Sequence, residues 1–153
     1  MPIGKQTKHS DCANRCKLLL IGFKQQQEAE IIANLSSTDW LILPAINDAH
    51  TTQLVTEIRF DFVLIDVDGV ERFAPELVAD LRAEGALNQL ATILAHSDFM
   101  LPAFREQLLH CGVDGFFALP METGNLLAAL TDAAVKRALV ERSGTSQQGE
   151  ARF

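Results

Sequence analysis

The side chains best placed for chemistry are Asp66 and Asp68, in Asp66-Val67-Asp68-Gly69 directly after an apolar run, with His96-Ser97-Asp98 after a second one. Carboxylates two residues apart beyond a strand can serve a site. They can also simply accept hydrogen bonds from the N–H groups of a turn. His9, Cys12 and Cys16 offer metal-ligating atoms but lack a second ligand pair at zinc-site spacing, so no metal is expected there. No G-x-G-x-x-G or G-x-x-x-x-G-K-S/T segment occurs, and Gly22-Phe23-Lys24-Gln25-Gln26-Gln27, with one glycine and no Ser or Thr, is a poor phosphate-cradling loop. Motifs of the G-x-S-x-G and H-E-x-x-H kinds are absent as well.

Five strand–helix units can be read from the periodicity. Residues 17–23 contain the run Leu18-Leu19-Leu20-Ile21, a buried strand. Residues 25–36 follow as a helix with Ala29, Ile32 and Leu35 on one face. Residues 40–43 make a short second strand, and Asn47 or Asp48 caps a helix that buries Leu54, Val55 and Ile58. The third strand, 62–65, is continuously apolar, as a central parallel strand covered on both faces must be, and it ends at Asp66.

Pro75 opens a helix carrying Leu77, Val78 and Leu81, and Gly85 terminates it. Residues 91–95 form the fourth strand. Ser97 or Asp98 then precedes a helix with Pro102 in its first turn, Phe104, Leu108 and Leu109 inward, Cys111 packed and Gly112 as stop. Residues 115–119 form the fifth strand. A last helix over 122–142 shows Leu126, Leu127, Leu130, Ala134 and Leu139 at helical spacing. The expected organisation is a flexible tail over 1–16, one domain over 17–142 and a disordered tail over 143–153.

With short loops and right-handed crossovers, these units imply an α/β three-layer sandwich built on a parallel sheet, with sites at the carboxyl ends of the strands. A chain of 153 residues with 48% hydrophobic and 22% charged residues fits one such domain. No apolar run reaches the roughly 18 residues of a membrane span. The net charge of −7 opposes a nucleic-acid partner. Three cysteines and no secretory leader fit a reducing, cytoplasmic location.

Three segments carry a family resemblance. Phe60-Asp61-Phe62-Val63-Leu64-Ile65-Asp66-Val67-Asp68-Gly69, Ala95-His96-Ser97-Asp98 and Gly112-Val113-Asp114-Gly115-Phe116-Phe117-Ala118-Leu119-Pro120 resemble the third strand, the loop after the fourth strand and the fifth strand of response-regulator receiver domains. The resemblance spans residues 17–139 and implies a flavodoxin-like (βα)5 fold with sheet order 2-1-3-4-5. It places Asp66 at the phosphoacceptor position and Phe116 at the aromatic switch, a position where a phenylalanine on a central strand is more often plain core.

The departures matter more. Where the family has two acidic residues after the first strand, this chain has Gly22 and Phe23. The hydroxyl residue ending the fourth strand falls at Leu94 or Ala95, with His96 as a polar loop residue beyond it, and the lysine before the proline is Leu119. Aspartyl phosphorylation in the family uses Mg²⁺, which wants near-octahedral oxygen ligands. Leucine and alanine cannot donate hydrogen bonds to a phosphoryl group. Asp68 would add like charge, and two charges about 4 Å apart repel by about 4 kcal/mol at an effective dielectric of about 20. Lys24 is a candidate replacement cation; its alternative is a solvated lysine in the first helical turn.

The resemblance therefore implies a degenerate receiver in two-component signalling that acts by protein contact and not as an enzyme, with its Mg²⁺ site lost or weak and no other cofactor. The family's docking and dimerisation face, helix four, strand five and helix five, falls on Phe104, Gln107, Leu108, Phe117, Ala118 and Leu119. The implied partner is a histidine kinase, another signalling protein or a second copy of the chain, with no nucleic acid and no membrane. The competing readings are a true receiver with slow phosphotransfer at Asp66 and a flavodoxin-like small-ligand binder.

Overall fold

The computed structural model describes residues 15–151, with side chains to residue 139. Its elements alternate in order: β1 (Lys17–Ile21), α1 (Gln25–Asn34), β2 (Leu41–Pro44), α2 (Asp48–Glu57), β3 (Phe62–Asp66), α3 (Ala74–Leu81), β4 (Thr92–His96), α4 (Pro102–Cys111), β5 (Gly115–Phe116) and α5 (Asn125–Ala151). The strands form one parallel sheet in the order β2-β1-β3-β4-β5. This is the expected flavodoxin-like topology.

Strand alternation divides the apolar runs between two cores, because successive side chains leave the sheet on opposite faces. Leu19, Ile21, Val63, Ile65, Ile93 and Ala95 pack with Leu77, Val78 and Leu81 of α3 and Leu108 of α4, and Leu54 and Val55 of α2 join at the margin. Leu18, Leu20, Phe62, Leu64 and Leu94 pack with Ile31 and Leu35 on the α1 side and with Leu126, Leu130 and Ala133 of α5. Two helices therefore cover one face and three the other.

Several element details differ from the sequence reading. The inward face of α1 is set by Ile31 and Asn34, while Ala29 and Ile32 are exposed. Asn34 fixes that rotation. Its amide oxygen accepts from the N–H groups of Gly124 (3.1 Å) and Leu126 (3.2 Å), and its Nδ2 donates to Met121 O (3.3 Å), so α1 caps the entry to α5. Leu109 and Leu139 are exposed, not inward. Asn47 caps α2 by accepting from His50 N–H at 2.8 Å, and Gly112, at φ +119°, ends α4, both as expected.

The strands and helix ends also shift. β2 and β4 each sit one residue later than read, and β5 stops at Phe116. α3 ends at Leu81, four residues before Gly85. The last helix begins at Asn125 and continues to Ala151, where a disordered tail from residue 143 was expected. Extending an existing helix requires no new nucleus, so a segment without apolar periodicity can still continue one. Residues 1–14 of the expected N-terminal tail, with His9 and Cys12, lie outside the described residues.

At the amino ends of the strands, Arg82 joins three segments. Its Nη2 lies 2.7 Å from Asp114 Oδ2, its Nε donates to Gly112 O at 3.0 Å, and its Nη1 donates to Gln89 O at 2.7 Å. Asp114 also accepts from Ile93 N–H (2.9 Å) and faces Arg137 Nη1 at 3.3 Å. The aspartate of the Gly112-Val113-Asp114 segment is thus a structural post holding β4, β5 and α5 together. Removing one member of a buried ion pair strands the other, so Asp114→Ala is expected to cost about 3–5 kcal/mol. Urea unfolding at neutral pH measures this, and a loss below about 1 kcal/mol would contradict the assigned role.

Candidate functional site

Asp66 is the last residue of β3 and pairs in register with His96, the last residue of β4. Both belong to strands buried on both faces, and both are nearly sealed, at 3% and 2% exposure. Asp66 Oδ1 accepts the Asp68 N–H at 3.2 Å and lies 3.4 Å from His96 Nδ1. The main-chain oxygen of Asp66 accepts from Gly69 N–H (3.0 Å) and Val70 N–H (3.1 Å), closing the turn that follows the strand.

The loop after β1 lies against that turn. A Cβ on Gly69 would stand 1.9 Å from Gly22 O and 3.3 Å from Asp66 Oδ2. Gly22 has φ +87°, and a Cβ there would meet Asp66 O and Val70 N at 2.9 Å each. Two glycines therefore let backbone meet backbone beside the Asp66 carboxylate. Phe23 is next in the chain. Its ring centroid is 6.1 Å from Phe117 and 6.3 Å from His96, and Phe117 is 5.5 Å from His96, so three rings close the flank of the site.

The expected site residues distribute unevenly. Gly22, Phe23, Asp66 and His96 come together; Leu94 and Ala95 are core residues on opposite faces of the sheet. The last residue of the fourth strand is His96, because β4 runs one residue further than its apolar run suggests. His96 is therefore a buried partner of Asp66 and not a loop residue. Its signal in the sequence was its place one residue after the run.

Asp68 turns to the next loop, where it accepts from Ser97 Oγ–H (2.8 Å) and Asp98 N–H (2.9 Å). Ser97 and Asp98 thus brace Asp68 and do not cap α4, whose N-cap is Leu101. Lys24 is exposed at the start of α1, its N–H donating to Gln27 Oε1 at 2.9 Å, and no ion pair joins it to Asp66. Leu119, before a cis Leu119-Pro120 bond, packs on the α1–α5 core.

Phe116 lies under the Arg105 guanidinium, 4.2 Å from its ring centroid. On the expected docking face Leu108 and Phe117 are buried core, Phe104 and Leu119 half-buried, and Gln107 and Ala118 exposed. Among the described residues no group of three or more His, Cys, Asp or Glu side chains is arranged to hold a metal ion. None of the described helices is long and apolar enough to cross a membrane.

Comparisons with known proteins agree with this architecture. The chain superimposes on the chemotaxis response regulator CheY4 of Vibrio cholerae with a TM-score of 0.69 at 18% identity, covering 78% of this chain and 99% of that one. A Burkholderia pseudomallei response regulator bearing a phosphorylated aspartic acid, a calcium ion and citrate gives 0.67 at 22% identity, over 82% of this chain and 72% of that one. The receiver domain of a Pseudomonas aeruginosa sensor histidine kinase, with magnesium coordinated in its active-site cleft, gives 0.66 at 19% identity, over 78% and 98%. No family model matches the sequence, and no curated protein does. The fold is that of a response-regulator receiver domain.

Two measurements test the local structure. Gly69→Ala must separate two backbones in contact, and overpacking of this kind costs about 1–3 kcal/mol or more. A Gly69→Ala protein as stable as the parent in urea would show that the loops do not touch. At the opposite edge, burial and the nearby Asp61 push the Cys16 thiol up to about 12, from 9.0. A thiol raised in the folded state adds stability below its unfolded value and loses it as pH climbs from about 9 toward 12. Alkylation followed by peptide mass spectrometry at pH 9 is expected to modify Cys16 on the order of a hundredfold more slowly in the folded than in the denatured protein, because the thiolate is the nucleophile. Equal rates would refute the shift.

Proposed function

We propose that this chain is a degenerate receiver-type module of two-component signalling, acting in the cytoplasm by binding a protein partner without phosphorylation at Asp66. The observation that carries the proposal is the backbone contact of Gly22 with Gly69 beside a carboxylate that is 3% exposed. A phosphodonor must reach that oxygen, and the added group must be surrounded by cations or donors.

The side chains argue the same way. Magnesium takes six oxygen ligands at about 2.0–2.1 Å. The loop after β1 brings Gly22 and Phe23 where carboxylates would be needed, and Asp68 already accepts from Ser97 and Asp98. The donor set present does not fit the ion. Leu119 offers no ammonium for a phosphoryl oxygen, and His96 already faces Asp66 at 3.4 Å. The partner class that follows is a histidine kinase or another signalling protein, or a second copy meeting through α4, β5 and α5. Nucleic acid and membrane are disfavoured by the net charge of −7.

The test is the amide NMR spectrum titrated with Mg²⁺ and then with beryllofluoride, which mimics aspartyl phosphate. The expected result is no change at either step. Shifts around Asp66 that spread to Phe116 and α4 would establish the alternative, a working phosphoacceptor.

A further inference from the structure

We propose that the loops beside the closed site form a docking surface for a basic, amphipathic segment of the protein partner. This deepens the reading above and rests on it. The surface consists of Phe73 on the loop after β3 and Phe99 and Leu101 on the loop after β4, at 52%, 87% and 69% exposure; the two loops are joined by the Asp68 contacts to Ser97 and Asp98 and by Phe104, whose ring centroid is 6.1 Å from that of Phe73. Large apolar side chains gathered on one patch mark an interaction site more often than scattered ones do.

Two of these residues break a local rule. Phe73 and Leu101 occupy the N-caps of α3 and α4, and neither makes a side-chain cap. Ser, Thr, Asp and Asn are strongly preferred there because their oxygens satisfy a free N–H of the first turn. Ser97 and Asp98 stand only a few residues ahead of α4, yet they bond Asp68 and leave the cap to a leucine. A sequence that gives up two caps to place apolar groups in solvent is consistent with selection for contact.

The charges around the patch select the partner. Asp68, Glu71 and Asp98 are exposed on the same loops, with Glu71 held by the Asp48 N–H at 2.7 Å. The basic side chains nearby are engaged, Arg72 with Asp80 and Arg105 over the Phe116 ring. The two uncapped helix termini contribute about half a positive charge each. Three carboxylates outweigh them. Anionic lipid and nucleic acid would be repelled, and a second copy would bring the same carboxylates face to face. A Lys- and Arg-bearing segment with an apolar stripe satisfies both features at once.

The experiment uses the full chain and an 18-residue synthetic probe, about five helical turns, with Leu on one face and Lys on the other, followed by amide NMR. A Leu/Glu counterpart, phosphatidylserine vesicles and sedimentation velocity complete the set. The Leu/Lys peptide is expected to shift amides at residues 71–73 and 97–105, to bind more weakly as salt rises, and to lose about tenfold or more in affinity to Phe99→Asp/Leu101→Asp. These side chains are exposed, so the variant should keep the parent's thermal midpoint.

Shifts confined to another face, equal binding of the Leu/Glu peptide, an affinity unchanged in the double variant, vesicle binding, or self-association abolished by the double variant would each overturn the proposal. Repeating the titration with Mg²⁺ and beryllofluoride separates the two readings. Peptide affinity altered by beryllofluoride would defeat phosphorylation independence and leave the surface standing. A silent site with no peptide bound would defeat the surface alone.

Discussion

The contact between the loop after β1 and the turn after β3 governs what the carboxyl edge of this sheet can do. In a parallel sheet covered on both faces, the strands offer only core, so polar chemistry is confined to the strand ends. Here the central ends are those of β1 and β3. Gly22 and Gly69 bring them within backbone contact, at a distance that a side chain at either position would not allow. Every neighbouring choice is compatible with that closure: Phe23 and Phe117 ring the flank, Leu119 joins the core, and Asp68 serves the adjoining loop.

Closure also changes the meaning of Asp66. A buried carboxylate is costly unless it is paired or hydrogen-bonded. Asp66 has one N–H donor, from Asp68, and an imidazole at 3.4 Å. His96 in turn sits among aromatic rings, with its second nitrogen 3.8 Å from Asp98 Oδ1. The pair links the ends of β3 and β4 to the loop that carries Phe99 and Leu101. The same arrangement therefore also anchors the exposed apolar residues Phe99 and Leu101 to a rigid strand end.

Much of the architecture was legible because it follows from patterns with strong physical causes. Continuous apolar runs of four or five residues, separated by helical stretches, leave few alternatives to a parallel sheet, and Gly112 and Asn47 marked helix boundaries through backbone chemistry. What escaped the sequence depended on tertiary partners. The rotation of α1 is set by Asn34 reaching the entry to α5, so the apolar position Ile32 lost to a polar one. The end of β4 was missed by one residue because His96 does not look like a strand residue until Asp66 is placed opposite it.

The same limit explains the two aspartates. Asp66 and Asp114 are alike in sequence, each near a strand and each part of a family-like segment. Asp114 is paired with two guanidiniums at the amino edge and has a structural task that accounts for it fully. Asp66 has a single imidazole opposite it, where Asp114 meets two guanidiniums. On stability alone an apolar residue would serve the end of β3 as well. Its contacts fit a positional role: the carboxylate accepts from the turn that seats Gly69 and faces the histidine that ends β4. A carboxylate held in this way can transmit position from one loop to the next.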